Sequence, residues 1–173
     1  MYPKAYVDYL VHFHGSRDYF ECHEVLEEYW KSQPHREKVW VGLIQLAVGL
    51  YHHRRGNFNG AAKMLASARQ ILGKEKAAVQ KLGLDPSTLL KQISERLNDV
   101  QQRKAYTSLN LPITDHQLLQ HCRQICQEKN LTWGKGSDPD NALLIHKHKL
   151  RDRSDVIRER EWQKKHKAKQ RKT

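Results

Sequence analysis

Apolar residues recur three and four positions apart through much of this chain, the spacing that puts them on one face of an α-helix. Ala5, Tyr6, Tyr9, Leu10 and Phe13 set the pattern, and Gly15-Ser16 interrupt it. Asp18 opens a second helix. Asp18 and Glu21 have the D-x-x-E spacing of a capping box, in which the glutamate reaches back to a free amide. This helix is predicted to run to about Lys31, ended by Ser32-Gln33-Pro34-His35. A third is predicted over 36–55, stopped by Gly56. Asn57 caps a fourth, with Gly73 just past its end. A short helix over 74–82 leads to Gly83. Asp85-Pro86, a cap followed by a first-turn proline, starts another helix expected to reach about Tyr106.

The pattern changes at "SLNLPI", which reads as an extended link before a helix over 115–129. "LTWGKGSDPDN" is the richest turn signal in the chain. After it, Ile145, Lys147 and Lys149 alternate with His146 and His148, which suggests a strand, and a basic helix follows from Asp155. The expected fold is mainly α: a compact helical bundle over 1–106 and a smaller basic C-terminal module over 107–173, with room for a short β element.

On a helical wheel Tyr19, His23, Leu26 and Trp30 form one stripe, with Glu27 at its edge beside His23. Glu21 and Glu28 lie opposite, and Glu24 lies between. On the third helix Gly42, Gln45, Gly49 and His52 form a second stripe, whose two glycines admit a neighbouring helix closely. The two stripes are expected to face each other and share hydrogen bonds, since burying such polar groups unpaired costs on the order of 1–3 kcal/mol each. His23, Glu24, Glu27, Gln45 and His52 are therefore the candidate catalytic cluster. Three readings stay open. The cluster is a structural network, an acid–base site, or a divalent-metal site with His23, Glu27 and His52 as candidate ligands. H-E-x-x-E lacks the second histidine of the zinc-protease helix. The paired Glu-x-x-His helices of di-iron bundles are also missing.

Charge adds a second candidate. The chain carries a net +12, and residues 146–173 hold 12 Lys/Arg against four Asp/Glu. Such a block is an electrostatic footprint for a polyanion, with RNA the expected partner. Lys147, Lys149, Arg151, Arg153, Arg158, Arg160, Lys164 and Lys165 are the candidate phosphate contacts, and Trp133 and Trp162 are candidates for stacking on bases. Three cysteines without a C-x-x-C spacing point to a reducing compartment, with Cys122 and Cys126 as core residues rather than zinc ligands. No apolar run approaches the roughly 20 residues of a membrane span, and the N-terminus lacks a signal-peptide core. The expectation is a soluble cytoplasmic protein without a membrane partner. No glycine-rich phosphate loop, Ser-His-Asp order or dinucleotide fingerprint is present.

"YFECHEVLEEYW" followed by "GLIQLAVGLYHHRRGNFNGA" resembles the YpuF-like bacterial proteins catalogued as domain of unknown function 309. Tyr19, Phe20, Glu21, His23, Glu24, Glu27, Trp30, Gly42, Gln45, Ala47, Tyr51, His52, Gly56, Asn57, Gly60 and Ala61 carry the resemblance. It spans roughly residues 5–75 and leaves the basic segment after about residue 110 outside the shared core. It implies a compact all-helical fold and no established reaction. Arg17-Asp18 followed by His23 also resembles the R-D-x-x-x-x-H spacing of HEPN-type ribonucleases, which implies Arg17 and His23 at an RNA phosphate. The leading expectation is an RNA-binding accessory protein working through its basic C-terminal segment. The alternatives are a hydrolase or HEPN-like ribonuclease using His23, Glu27 and His52, and a module whose grooves hold a helical protein partner.

Overall fold

The computed structural model describes residues 1–137 and 141–147. The elements are α1 (Lys4–Val11), a π-helical turn (His12–Ser16), α2 (Tyr19–Ser32), α3 (Lys38–Arg54), α4 (Phe58–Lys74), α5 (Lys76–Lys81), α6 (Pro86–Gln101), α7 (His116–Glu128) and α8 (Ala142–Ile145). Among the described residues there is no strand, and a single antiparallel bridge joins Leu84 to Ile113. The residues leading into the strand expected from Ile145 form one helical turn through Ile145, capped by Asn141, whose side chain accepts from the Leu144 amide at 3.1 Å. His148 and Lys149 lie outside the described residues.

The caps follow the sequence. Side chains of Asp18, Asn57, Asp85 and Asp115 accept from the first-turn amides of α2, α4, α6 and α7. The capping box at α2 is only half made. The Asp18 amide donates to the His12 carbonyl at 3.0 Å, so Glu21 has no free amide to reach. α3 ends at Gly56, with φ +82°, where the Gly56 and Asn57 amides donate to His53 and His52 carbonyls, the paired bonds of a Schellman motif. α6 ends the same way, well before Tyr106, with Arg103 in the left-handed position at φ +58°. Gly73 does not close α4, which runs one residue past it.

The inner face of α1 supplies the centre of the core. Tyr6, Tyr9, Leu10 and Phe13 are fully buried. The Tyr9 hydroxyl donates to the Leu43 carbonyl at 2.8 Å and Tyr6 to the Leu82 carbonyl at 2.7 Å, which satisfies both phenols inside the core. The close approach predicted at Gly42 and Gly49 exists, but the partner is α4. A Cβ on Gly42 would lie 2.6 Å from Leu72 Cδ2, and one on Gly49 would lie 2.8 Å from Leu65 Cδ2. Leu111, Leu118, Cys122 and Cys126, from the expected second module, join the same core.

Two buried polar residues tie that later segment to α1. His14 donates through Nδ1 to the Leu10 carbonyl and accepts through Nε2 from the Leu111 amide, each at 2.9 Å. These partners select the neutral Nδ1–H tautomer. Arg17, 1% exposed, donates to the carbonyls of Phe13, Leu109 and Lys135 and to Asn110 Oδ1. Among the described residues no helix is long and apolar enough to cross a membrane.

Candidate functional site

On α2 the fully buried residues are Tyr19, Cys22 and Leu26. The inner face is therefore turned slightly from the stripe the wheel assigned, and His23 and Trp30 sit at its margin rather than within it. His23 Nε2 meets Glu27 Oε2 at 2.6 Å, and Glu27 Oε1 meets Lys31 Nζ at 2.9 Å. Glu24 Oε1 lies 3.7 Å from His23 Nδ1. The His23 side chain is 26% exposed and that of Glu27 34%, so solvent reaches the pair. Partial burial works against the charged Glu27, but Lys31 and His23 outweigh it and hold the carboxyl below its ordinary range. An imidazole held by a carboxylate at this distance is oriented for proton transfer at its other ring nitrogen.

Gln45 and His52 do not complete that pair. Their stripe faces α4, as the glycine contacts require. His52 Nδ1 accepts from Asn57 Nδ2 at 3.3 Å, at the start of α4. Burial first, then Arg55, pushes the His52 pKa down and keeps it neutral, as an acceptor must be. Gln45 Oε1 is buried and has no hydrogen-bond partner among the described residues. The link between the two stripes is aromatic. His23, Phe20, Tyr51 and His52 form a chain of rings with successive centroids 5.6, 5.7 and 5.9 Å apart. Among the described residues no group of three or more His, Cys, Asp or Glu could hold a metal ion, so His23, Glu27 and His52 do not converge as ligands.

The ribonuclease-like spacing fails for a physical reason. Arg17 is sealed in the core, and its guanidinium is bonded to backbone and to Asn110 rather than open to a phosphate. Trp133, a stacking candidate, is already stacked on His14 at 4.3 Å. Lys147 Nζ lies 2.6 Å from Asp18 Oδ2 and 3.4 Å from Glu21 Oε2. Burial opposes its charge, but the two carboxylates more than compensate and raise its pKa. Lys147 thus anchors the basic segment to α2 rather than offering a free cation. Lys149, Arg151, Arg153, Arg158, Arg160, Trp162, Lys164 and Lys165 lie outside the described residues. Cys22, Cys122 and Cys126 are free and buried, as expected of core thiols.

A polar cluster that the sequence did not announce forms where α3, α6 and the link after α6 meet. The Tyr106 ring has the Arg54 guanidinium carbon 5.8 Å and that of Arg96 5.7 Å from its centroid, and Arg54 also lies 4.6 Å from the Tyr19 centroid. The hydroxyls of Tyr19 and Tyr106 are hydrogen-bonded to each other. Tyr106 also reaches Ser108 Oγ at 3.3 Å and Ser137 Oγ at 3.2 Å. Tyr106, Ser108 and Ser137 come from aperiodic chain, where helix spacing gives no signal. The one available cue was Arg54-Arg55 immediately before Gly56.

The family model described as "Domain of unknown function (DUF309)" matches residues 6–64. An uncharacterized protein of Bacillus subtilis (strain 168), YpuF, is 55% identical over 163 residues, covering 93% of this chain and 94% of that protein. An alignment of that length takes in part of the basic segment, which the motif resemblance left outside the shared core. No solved structure matches.

Proposed function

The chain belongs to the YpuF-like DUF309 family, and we propose that it is a cytoplasmic RNA-binding accessory protein, a helical bundle presenting a basic C-terminal arm. The observation that carries this reading is the excess of 12 Lys/Arg over four Asp/Glu in residues 146–173. The contacts of Lys147 and the Arg54 bond to the Leu144 carbonyl support it, because they fix where the arm leaves the bundle. From there Lys149, Arg151, Arg153, Arg158, Arg160, Lys164 and Lys165 are the phosphate contacts. Seven neutralised phosphates on single-stranded RNA give a slope of about −5 in log affinity against log salt. Fluorescence anisotropy with labelled RNA over a salt series measures it. Deleting residues 148–173 should remove the affinity and its salt slope. A truncated chain that binds RNA as before would refute the proposal.

His23 and Glu27 favour a second reading, general acid–base chemistry in a hydrolase. Its basis is the partly exposed 2.6 Å pair. Nuclease and phosphoesterase assays of the purified chain and of His23→Ala test it, and equal turnover by both would remove His23 from any reaction.

A further inference from the structure

We propose that Arg54, Arg96 and the hydroxyls around Tyr106 form a binding site for one phosphate group, either inorganic phosphate or a phosphomonoester. The site lies on the bundle beside the point where the arm leaves it, apart from the His23–Glu27 pair, and does not depend on either reading above.

Charge is the first argument. The Arg54 and Arg96 guanidinium carbons lie 5.8 and 5.7 Å from the Tyr106 ring centroid, and Arg54 bonds the backbone carbonyl of buried Arg17 at 2.7 Å. Among the described residues none of the three forms an ion pair. The acceptors of Arg54 are the carbonyls of Arg17 and Leu144 and Ser137 Oγ. Among the described residues Arg96 bonds Thr107 alone, through its carbonyl and Oγ1. Of the nearby carboxylates, Asp18 and Glu21 pair with Lys147, and Asp99, 3.8 Å from Lys104, acts on Arg96 through space without forming an ion pair with it. Buried cations are as a rule paired, because neutral dipoles replace only part of the hydration they lose. Guanidiniums gathered without a counter-charge mark a place for an anion.

Donor geometry is the second argument. Arg54 Nε is buried and has no hydrogen-bond partner among the described residues. Arg54 Nη1 bonds Ser137 Oγ at 3.1 Å, and Ser137 is linked through Tyr106 to Ser108 at 3.2–3.3 Å, hydroxyls that rotate to donate. The Tyr106 hydroxyl accepts from Tyr19 and donates to Ser108 Oγ, a bond at 3.3 Å that its proton can exchange for one to a phosphate oxygen. A phosphate dianion offsets two guanidinium charges and offers several acceptor oxygens to a guanidinium edge and to hydroxyls. A carboxylate carries half the charge and fewer acceptors.

The test uses the full-length chain. Titration calorimetry and thermal melting are run with inorganic phosphate against chloride at matched ionic strength. Wild type should bind one equivalent and melt higher in phosphate. Tyr106→Phe keeps the ring and removes the hydroxyl, and should weaken binding ~10-fold, the scale of a lost hydrogen bond to a charged group. Arg54→Lys should weaken it further. Lys4→Ala removes an exposed cation outside the cluster and should bind as wild type. The basic arm is present in all four proteins, so phosphate adsorbed there would not respond to Tyr106→Phe. A nucleoside 5′-monophosphate, and RNA oligomers with and without a 5′-phosphate, separate free phosphate from a strand end as the source. No phosphate-specific binding, or equal binding by wild type and Tyr106→Phe, overturns the proposal and leaves RNA binding by the arm standing.

Discussion

His14 should make the fold sensitive to mild acid. Its ring is 1% exposed, stacks on Trp133, donates to the Leu10 carbonyl and accepts from the Leu111 amide. Protonating Nε2 would set a donor against the amide donor of Leu111. Burial lowers the His14 pKa to about 4, the backbone bond to Leu10 partly opposes this, and Arg17 adds to it. The unfolded chain titrates near 6.5, so in the acid range the unfolded state binds the proton first. The stabilisation is complete above pH 6.5 and is lost as pH falls from there toward 4. With folded and unfolded pKa values of about 4 and 6.5, the loss is ~2 kcal/mol at pH 5 and approaches ~3 kcal/mol near pH 4. Burial lowers the pKa of His12, His52 and His53 in the same direction, so the wild-type curve alone does not isolate His14. The comparison is therefore between wild type and His14→Gln, which can still accept from Leu111. Urea unfolding followed by tryptophan fluorescence from pH 7.5 to 4.5 gives both curves. The variant should be less stable at pH 7.5, and the gap should close by ~2 kcal/mol at pH 5. Nitrogen chemical shifts of the imidazole provide an independent check, since Nδ1 should stay protonated and Nε2 bare down to pH 5. Parallel stability curves, or a His14 resonance titrating near 6.5, would refute the reasoning.

Other consequences are simpler to state. Gly42→Ala should destabilise by ~1–3 kcal/mol in thermal or urea unfolding, because the new Cβ would fall 2.6 Å from Leu72 Cδ2; helix propensity alone predicts a gain of ~1 kcal/mol, so the sign decides. Tyr9→Phe removes the buried bond to Leu43 and should cost ~1 kcal/mol in the same assay. His23→Ala should change stability by no more than ~1 kcal/mol, since its contact with Glu27 is solvent-accessible. Any activity it abolishes would then not be a folding defect. Lys147→Ala should cost a similar amount, and the difference from wild type should shrink in 1 M salt, where the Debye length is about 3 Å.

The helices were legible in the sequence because their starts and faces are periodic and chemically marked. Asp18, Asn57, Asp85 and Asp115 each cap a helix. The end of α6 was misread because its Schellman turn uses Arg103 rather than glycine, so the left-handed residue carries no signature. Gly73 misled in the opposite way: it lies inside α4 with no left-handed backbone, and nothing local distinguishes it from a terminating glycine. The candidate site was half legible. The i,i+4 pairing of His23 with Glu27 follows from helix geometry alone. Which face α2 turns inward does not, because it depends on where α1 presents Tyr9 to Cys22 and on Phe20 meeting Tyr51. The glycines of α3 required a close helix but could not name it, and both α2 and α4 were available.

Arg17 shows most directly what periodicity could not reach. In sequence it is a cation between a glycine-serine break and a helix cap, the position of a solvent-exposed side chain. In the fold it is 1% exposed, with φ +57°, and its acceptors are 92 to 118 residues away apart from Phe13. Those acceptors lie in aperiodic chain, at Leu109, Asn110 and Lys135, where there is no helix to use the carbonyls internally. A segment without its own secondary structure must place its backbone polar groups elsewhere. A buried guanidinium with five donors is suited to receiving them. Arg54 repeats the arrangement on the carbonyls of Arg17 and Leu144, and Arg96 on that of Thr107. The later chain is thus held to the bundle by arginines that bond carbonyls, while among the described residues none of the three forms an ion pair and Arg54 Nε has no partner. Carbonyl dipoles satisfy donors without neutralising a cation, which is why the phosphate titration bears on this cluster and not on its role as a clasp.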